Sequence, residues 1–166
     1  MRMSHSYLLS LEIDGKVFTQ SISIARYLAT KFGLAGDEEF EILRMEESVY
    51  IMAEYIRKWV PLFYDAIPEN VKTEMRERIL AVDNVQVMNY YDKLIKKNED
   101  AGNEWLVGKK LSWADIVFAH CTSAYQDCLM KADILKDYPR LQALRTRVFE
   151  EPRIKEYVAN RPLTKF

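Results

Sequence analysis

The chain has 166 residues, 49% of them hydrophobic and 30% charged, with a formal net charge of −1. That length lets one ordinary domain, or one domain and part of another, bury roughly 68–70% of its unfolded surface without disulfide or metal staples. The balance excludes a disordered chain and removes the electrostatic reasons to expect nucleic acid or an anionic membrane as partner. No run approaches the roughly 18 apolar residues of a membrane span. The opening MRMSHSYLLSLEIDG has neither a sustained apolar core nor a small-residue cleavage site, so the expectation is a cytoplasmic protein without a leader or an anchor.

In chain order, residues 8–20 read as a hairpin: LLSLEI, then Asp14-Gly15, then KVFTQ. Asp-Gly between two short alternating runs is a strong local hairpin signal. Two strands are marginal alone and leave open edges, so the hairpin reads as part of a larger sheet. The following pattern is helical, SISIARYLATKFGL, ending at Gly36 after a Gly33 that can terminate the periodic run. Residues 38–59 form a long amphipathic stretch stopping near Pro61. Residues 69–97 form another, with Glu69, Glu74 and Glu77 early and Lys93, Lys96 and Lys97 late, an order that suits the helix dipole. KKNEDAGNE reads as a polar linker. Helices are expected at 112–130 and 139–149, with Pro139 and Pro152 near the starts of later helices. The fold class is therefore mainly α, a hairpin followed by a large helical mass.

Cys121 and Cys128 lie two helical turns apart, roughly 10 Å of rise and too far for a disulfide. Reduced thiols are expected. His5 and His120 are the only histidines and no ligand spacing appears, so no metal is expected.

Two local signals stand out. In LSWADI, Ser112 can cap a helix by accepting from the Asp115 N–H, while Asp115 reaches back to the Ser112 N–H, and Leu111 with Ile116 forms the hydrophobic staple. This signal is structural. The second is Gln20-Ser21, where a strand-like run turns into a helix-like one. Ser21 can simply be the N-cap of a helix over 22–32, with Gln20 an exposed strand end. Alternatively the helix start is an anion site, where free backbone N–H groups and the serine hydroxyl meet a carboxylate. Gln20 adds an amide that both donates and accepts, which suits a small zwitterion.

LEIDGKVFTQSISIARYLATKFGLAG resembles the glutathione-binding stretch of sigma-class glutathione transferases, the family that includes prostaglandin D synthases. EWLVGKKLSWADIVFA resembles the family's capping-box helix, and YPRLQALRTRVFEEPRIKEYVANRPLTKF its closing segment. The resemblance runs over residues 11–166. It implies a thioredoxin-like domain ahead of an all-helical one, so 1–36 is expected to be part of the first and 37–166 the second. It implies glutathione as co-substrate, with Gln20 and Ser21 on its γ-glutamyl carboxylate. Glu54 matches the acid that the partner subunit lends to the glutathione amine, although a solvated surface glutamate is an equal reading. Tyr50 and Ala53 stand where prostaglandin D synthases cluster aspartates for a divalent ion, so neither that metal nor prostaglandin isomerisation is expected. His120, Cys121 and Phe166 are weak candidates for the electrophile pocket.

The family activates the glutathione thiol with a tyrosine on a first strand, inside a βαβ unit of ~30 residues or more. Only ten residues precede Leu11, which leaves no room for that unit, and Tyr7 and His5 belong to the approach to the hairpin. Leu9 stands where the family has a cis-proline. The resemblance thus implies conjugation of glutathione to small electrophiles, impaired in this chain. The alternative is a truncated, non-enzymatic relative, crystallin-like or regulatory, that dimerises with itself or with full-length subunits.

Overall fold

The computed structural model describes residues 9–64, 66–124, 126 and 132–162. Strands β1 (Ser10–Ile13) and β2 (Lys16–Thr19) pair antiparallel, Ser10 opposite Thr19 and Ile13 opposite Lys16. Asp14 and Gly15 make the turn with φ of 51° and 75°. Two successive positive φ values match the right-handed twist of the strands, and Asp-Gly adopts them at little cost. Leu11 and Ile13 are half-buried on one face, while Val17 and Phe18 of β2 are exposed.

Helix α1 (Ser21–Lys31) ends at Gly33, whose φ is 71°. The Leu34 N–H donates to the Ala29 carbonyl at 2.8 Å and the Gly33 N–H to the Thr30 carbonyl at 3.4 Å, the two bonds of a Schellman stop. The turn aims Leu34 at the helical mass, where its carbonyl accepts from the Trp113 N–H at 3.0 Å. Arg26 adds an exposed ion pair to Glu46 at 3.1 Å.

Helix α2 (Glu39–Trp59) is the central rod. Met45, Ser48, Val49, Met52, Tyr55 and Trp59 recur at three- and four-residue spacing and are all buried, the stripe of a core-facing helix. A 3-10 turn over Val60–Phe63, with Pro61 in it, ends the rod. Helices α3 (Glu69–Arg78) and α4 (Val85–Asp100) are joined without a break by a π-helical stretch, Ile79–Asn84. The wider turn sets Asn84 inward, where it accepts from the Tyr55 hydroxyl at 2.9 Å and donates to the Ile134 carbonyl at 3.2 Å. Asp83, one residue earlier, pairs with Lys58. Tyr91 packs on Phe118 and donates its hydroxyl to the Ser48 carbonyl at 2.5 Å. Helices α5 (Trp113–Ala124), α6 (Pro139–Glu150) and α7 (Pro152–Asn160) complete the fold, α6 and α7 each opening on proline.

Two expectations are corrected. KKNEDAGNE is not a linker throughout, because α4 runs on to Asp100, supported by a Lys96–Asp100 pair at 2.6 Å. Its stop comes from Gly102 at φ 81°, with the Gly102 N–H bonded to the Glu99 carbonyl and the Asn103 N–H to that of Asn98. Nor is Ser21 the cap of α1: the helix begins at Ser21 itself and Gln20 holds the capping position. Of the helix expected at 112–130, the part beyond Ala124 falls largely outside the described residues.

Candidate functional site

The start of α1 is an unusual helix entrance. Gln20 has φ 74° and ψ 103°, outside the regions a residue with a Cβ ordinarily occupies. Such a backbone costs of order 1–3 kcal/mol and persists only where the surroundings impose it. The first intrahelical bond runs from the Ile24 N–H to the Gln20 carbonyl at 3.0 Å, so the N–H groups of Ser21, Ile22 and Ser23 precede it and need another partner. The Gln20 side chain does not cap them, and the first turn carries no acidic residue. Gln20, Ser21 and Ser23 are exposed. Free N–H groups at the positive end of a helix, with hydroxyls and an amide beside them, form a cradle for a carboxylate. Ser23 is an addition to the residues singled out from sequence; its signal is the repeated serine in Gln20-Ser21-Ile22-Ser23.

The capping box at α5 forms in altered form. The Ser112 N–H donates to Asp115 Oδ2 at 2.8 Å, as expected, but the Ser112 hydroxyl also donates to that oxygen, at 2.6 Å. Asp115 Oδ1 takes a third donor that sequence reading missed, the Leu106 N–H at 2.8 Å. The fully buried carboxyl therefore clamps the 106–112 loop to the helix that receives Leu34. Burial raises the Asp115 pKa, and the three donors only partly offset it.

His120 and Cys121 lie near the end of α5. Although His120 as a residue is exposed, partial withdrawal of its ring from water, and then the positive charge of Arg161, lowers its pKa. It is neutral at pH 7. Burial pushes the Cys121 thiol up to about 12, which favours the protonated form near neutral pH. Glu54 stands exposed on the outer side of α2, with no hydrogen bond or ion pair among the described residues. The structure thus brings Gln20 and Ser21 together at one helix end, and leaves Glu54, His120 and Cys121 on other elements. Phe166, Tyr7, His5 and Cys128 lie outside the described residues. Among the described residues no group of three or more His, Cys, Asp or Glu is placed to hold a metal ion, and no helix is long and apolar enough to cross a membrane.

A family profile described as glutathione S-transferase, C-terminal domain, matches residues 53–161. Glutathione S-transferase 3 of Caenorhabditis elegans is 35% identical over 159 residues, covering 93% of this chain and 73% of that protein. The human hematopoietic prostaglandin D synthase is 31% identical over 157 residues, covering 93% and 73%. The chain belongs to the glutathione S-transferase family. Within it, the fold is similar to the solved prostaglandin synthase D of Nilaparvata lugens, with a TM-score of 0.82 and 31% identity over 93% of this chain and 74% of that one. It is also similar to a glutathione S-transferase of the hookworm Necator americanus described as monomeric, with a TM-score of 0.76 and 28% identity over 95% and 75%.

Proposed function

We propose that this chain binds glutathione at the start of α1, as a sigma-type member of its family. The observation that carries this reading is Gln20, held at φ 74° directly ahead of a helix entrance that its own side chain leaves uncapped. Strain of that kind is retained where it presents groups to a ligand. The γ-glutamyl carboxylate takes the N–H groups and the Ser21 hydroxyl, and the Gln20 amide bonds the neighbouring polar atoms. Relatives named for glutathione transfer and for prostaglandin synthesis support the co-substrate assignment. Residues 1–36 then belong to the glutathione-binding domain and 37–166 to the helical domain. In the family's reaction the glutathione sulfur, as thiolate, attacks an electrophilic carbon, forming the S–C bond as the leaving group departs with its electron pair. Neither the Cys121 thiol nor any described residue is assigned the activation of that sulfur.

Titration calorimetry with glutathione tests the binding. Ser21→Ala should weaken it by ~1–2 kcal/mol, as for a charge-assisted hydrogen bond. An unchanged affinity sinks the assignment. Gln20→Gly separates strain from recognition. Glycine adopts a positive φ freely, so the variant should gain about 1 kcal/mol of folding stability while binding glutathione more weakly. A variant less stable than the parent would show that the backbone at Gln20 is not under strain.

A second reading is a dimerising relative without turnover. Tyr50 and Glu54 face outward on α2, and Val17 and Phe18 are bare on the hairpin. In that assembly Glu54 reaches the glutathione amine of the other subunit. Glutathione binding without conjugation to an aryl halide, in a protein that sediments as a dimer, supports this reading; conjugation above the buffer rate supports the enzyme.

A further inference from the structure

Helix α7 has nine residues and none of them is buried; the half-buried Ile154 packs against the core. Helices shorter than about 12–15 residues are marginal alone, and one with so little apolar anchorage opens at low cost. Tyr157, near its end, is 67% exposed, the highest value for any tyrosine among the described residues. The other exposed tyrosines are held more firmly. Tyr27 lies under the Lys31 ammonium at 5.9 Å, Tyr50 sits within the 21-residue rod of α2, and Tyr64 closely follows the buried Leu62. Arg153 stands one turn before Tyr157 and Arg161 one turn after it, with the Arg161 N–H donating to the Tyr157 carbonyl at 2.9 Å. Residues four apart share a helix face. Neither guanidinium is in an ion pair among the described residues, whereas Lys155 is engaged with Glu150 at 2.6 Å. Glu156 directly precedes Tyr157 and stands about 100° round the helix from it, so it flanks the tyrosine instead of sharing its face.

We propose that Tyr157 is a phosphorylation site, its hydroxyl the acceptor for a protein tyrosine kinase and Arg153 and Arg161 the clamp that holds the product. The donor is a nucleoside triphosphate. The Tyr157 oxygen bonds to the γ-phosphorus as the bond from that phosphorus to the β–γ bridging oxygen breaks. The phenol proton goes to the kinase's base and the nucleoside diphosphate departs. A kinase takes its acceptor in an extended segment, which α7 supplies by opening its last turns without baring a buried side chain. The phosphate brings roughly −1.5 to −2 charges at pH 7 and three acceptor oxygens. At the C-terminal end of a helix that charge opposes the dipole, and two guanidiniums offset it with charge-assisted hydrogen bonds. Arg161 is also the charge that His120 on α5 feels. Drawing Arg161 to the phosphate therefore carries the modification from α7 to the end of α5.

The test treats the folded full chain with a panel of recombinant tyrosine kinase domains and magnesium ATP, and locates phosphate by peptide mass spectrometry. Phosphate should enter at Tyr157 at least about tenfold faster than at Tyr27, Tyr50 or Tyr64, a barrier difference of about 1.4 kcal/mol. Tyr157→Phe should remove that fast phase. Tyr55 and Tyr91, each 1% exposed, are the internal controls. Phosphate at either of them shows action on unfolded chain and overturns the proposal, as does faster entry at another exposed tyrosine or no entry at Tyr157 with any kinase of the panel. Phosphorus NMR of the modified chain then tests the clamp. The second ionisation of the phosphate should lie below its ordinary value of about 6, and Arg153→Gln/Arg161→Gln should raise its proton affinity by about threefold or more. Glu150, Glu151, Lys155, Glu156 and His120 are common to both proteins, so the difference isolates the two arginines. A titration that the double substitution leaves unmoved would overturn the clamp.

Discussion

Asp115→Ala should cost the protein roughly 2–6 kcal/mol of folding stability, because it orphans two buried N–H groups at 1–3 kcal/mol each. The donors are the Leu106 and Ser112 N–H groups, and the residues that carry them are buried. Against a typical total of about 5–15 kcal/mol, such a loss can unfold the chain at body temperature. Urea melts check it, and Asp115→Asn, which keeps one acceptor oxygen, should fall between the parent and the alanine variant. The pH dependence has a definite sign. Burial holds the Asp115 carboxyl above its ordinary 3.8. Between the unfolded and folded values the native state keeps a proton that the unfolded chain has released, so the group's stabilisation is complete below 3.8 and is lost as pH rises through the folded value. The stability gap between the parent and Asp115→Asn should therefore narrow as pH rises from about 3 to 7. A widening gap would mean that the three donors outweigh burial.

Cys121 should be nearly inert to thiol reagents in the native state. With its pKa raised from 9.0 to about 12, its thiolate fraction near neutral pH falls by roughly three decades, about 4 kcal/mol at 1.36 per unit. In a Cys128→Ser background, alkylation by iodoacetamide should be on the order of a thousandfold slower in the folded protein than in urea. A native rate within tenfold of the unfolded one would show the thiol to be open and ionisable. The consequence for function is direct. If Cys121 is held protonated, it supplies no thiolate near neutral pH.

Local chemistry made much of the architecture readable. Asp14-Gly15 tolerates the two positive φ values a tight hairpin needs, Gly33 supplies the stop of α1, and the prolines at 139 and 152 open α6 and α7. The reading failed where a stretch had polar composition but helical support. KKNEDAGNE is rich in loop residues, yet the Lys96–Asp100 pair and the Gly102 stop carry α4 to Asp100. At the start of α1, Gln20 and Ser21 were visible as a pair able to bind an anion, but the strain at Gln20 was not, since glutamine has no preference for φ 74°.

The hairpin, the run of amphipathic helices, the capping box and the position of the Gln20-Ser21 pair each depend on residues within a few positions of one another, and so were legible in the order of residues. Only the folding of distant segments onto one another set the third donor to Asp115, the bond from Trp113 to Leu34 and the burial that raises the Cys121 pKa. Those arrangements depend on contacts between residues far apart in the chain. No local propensity encodes them, and only close packing of the whole core selects them.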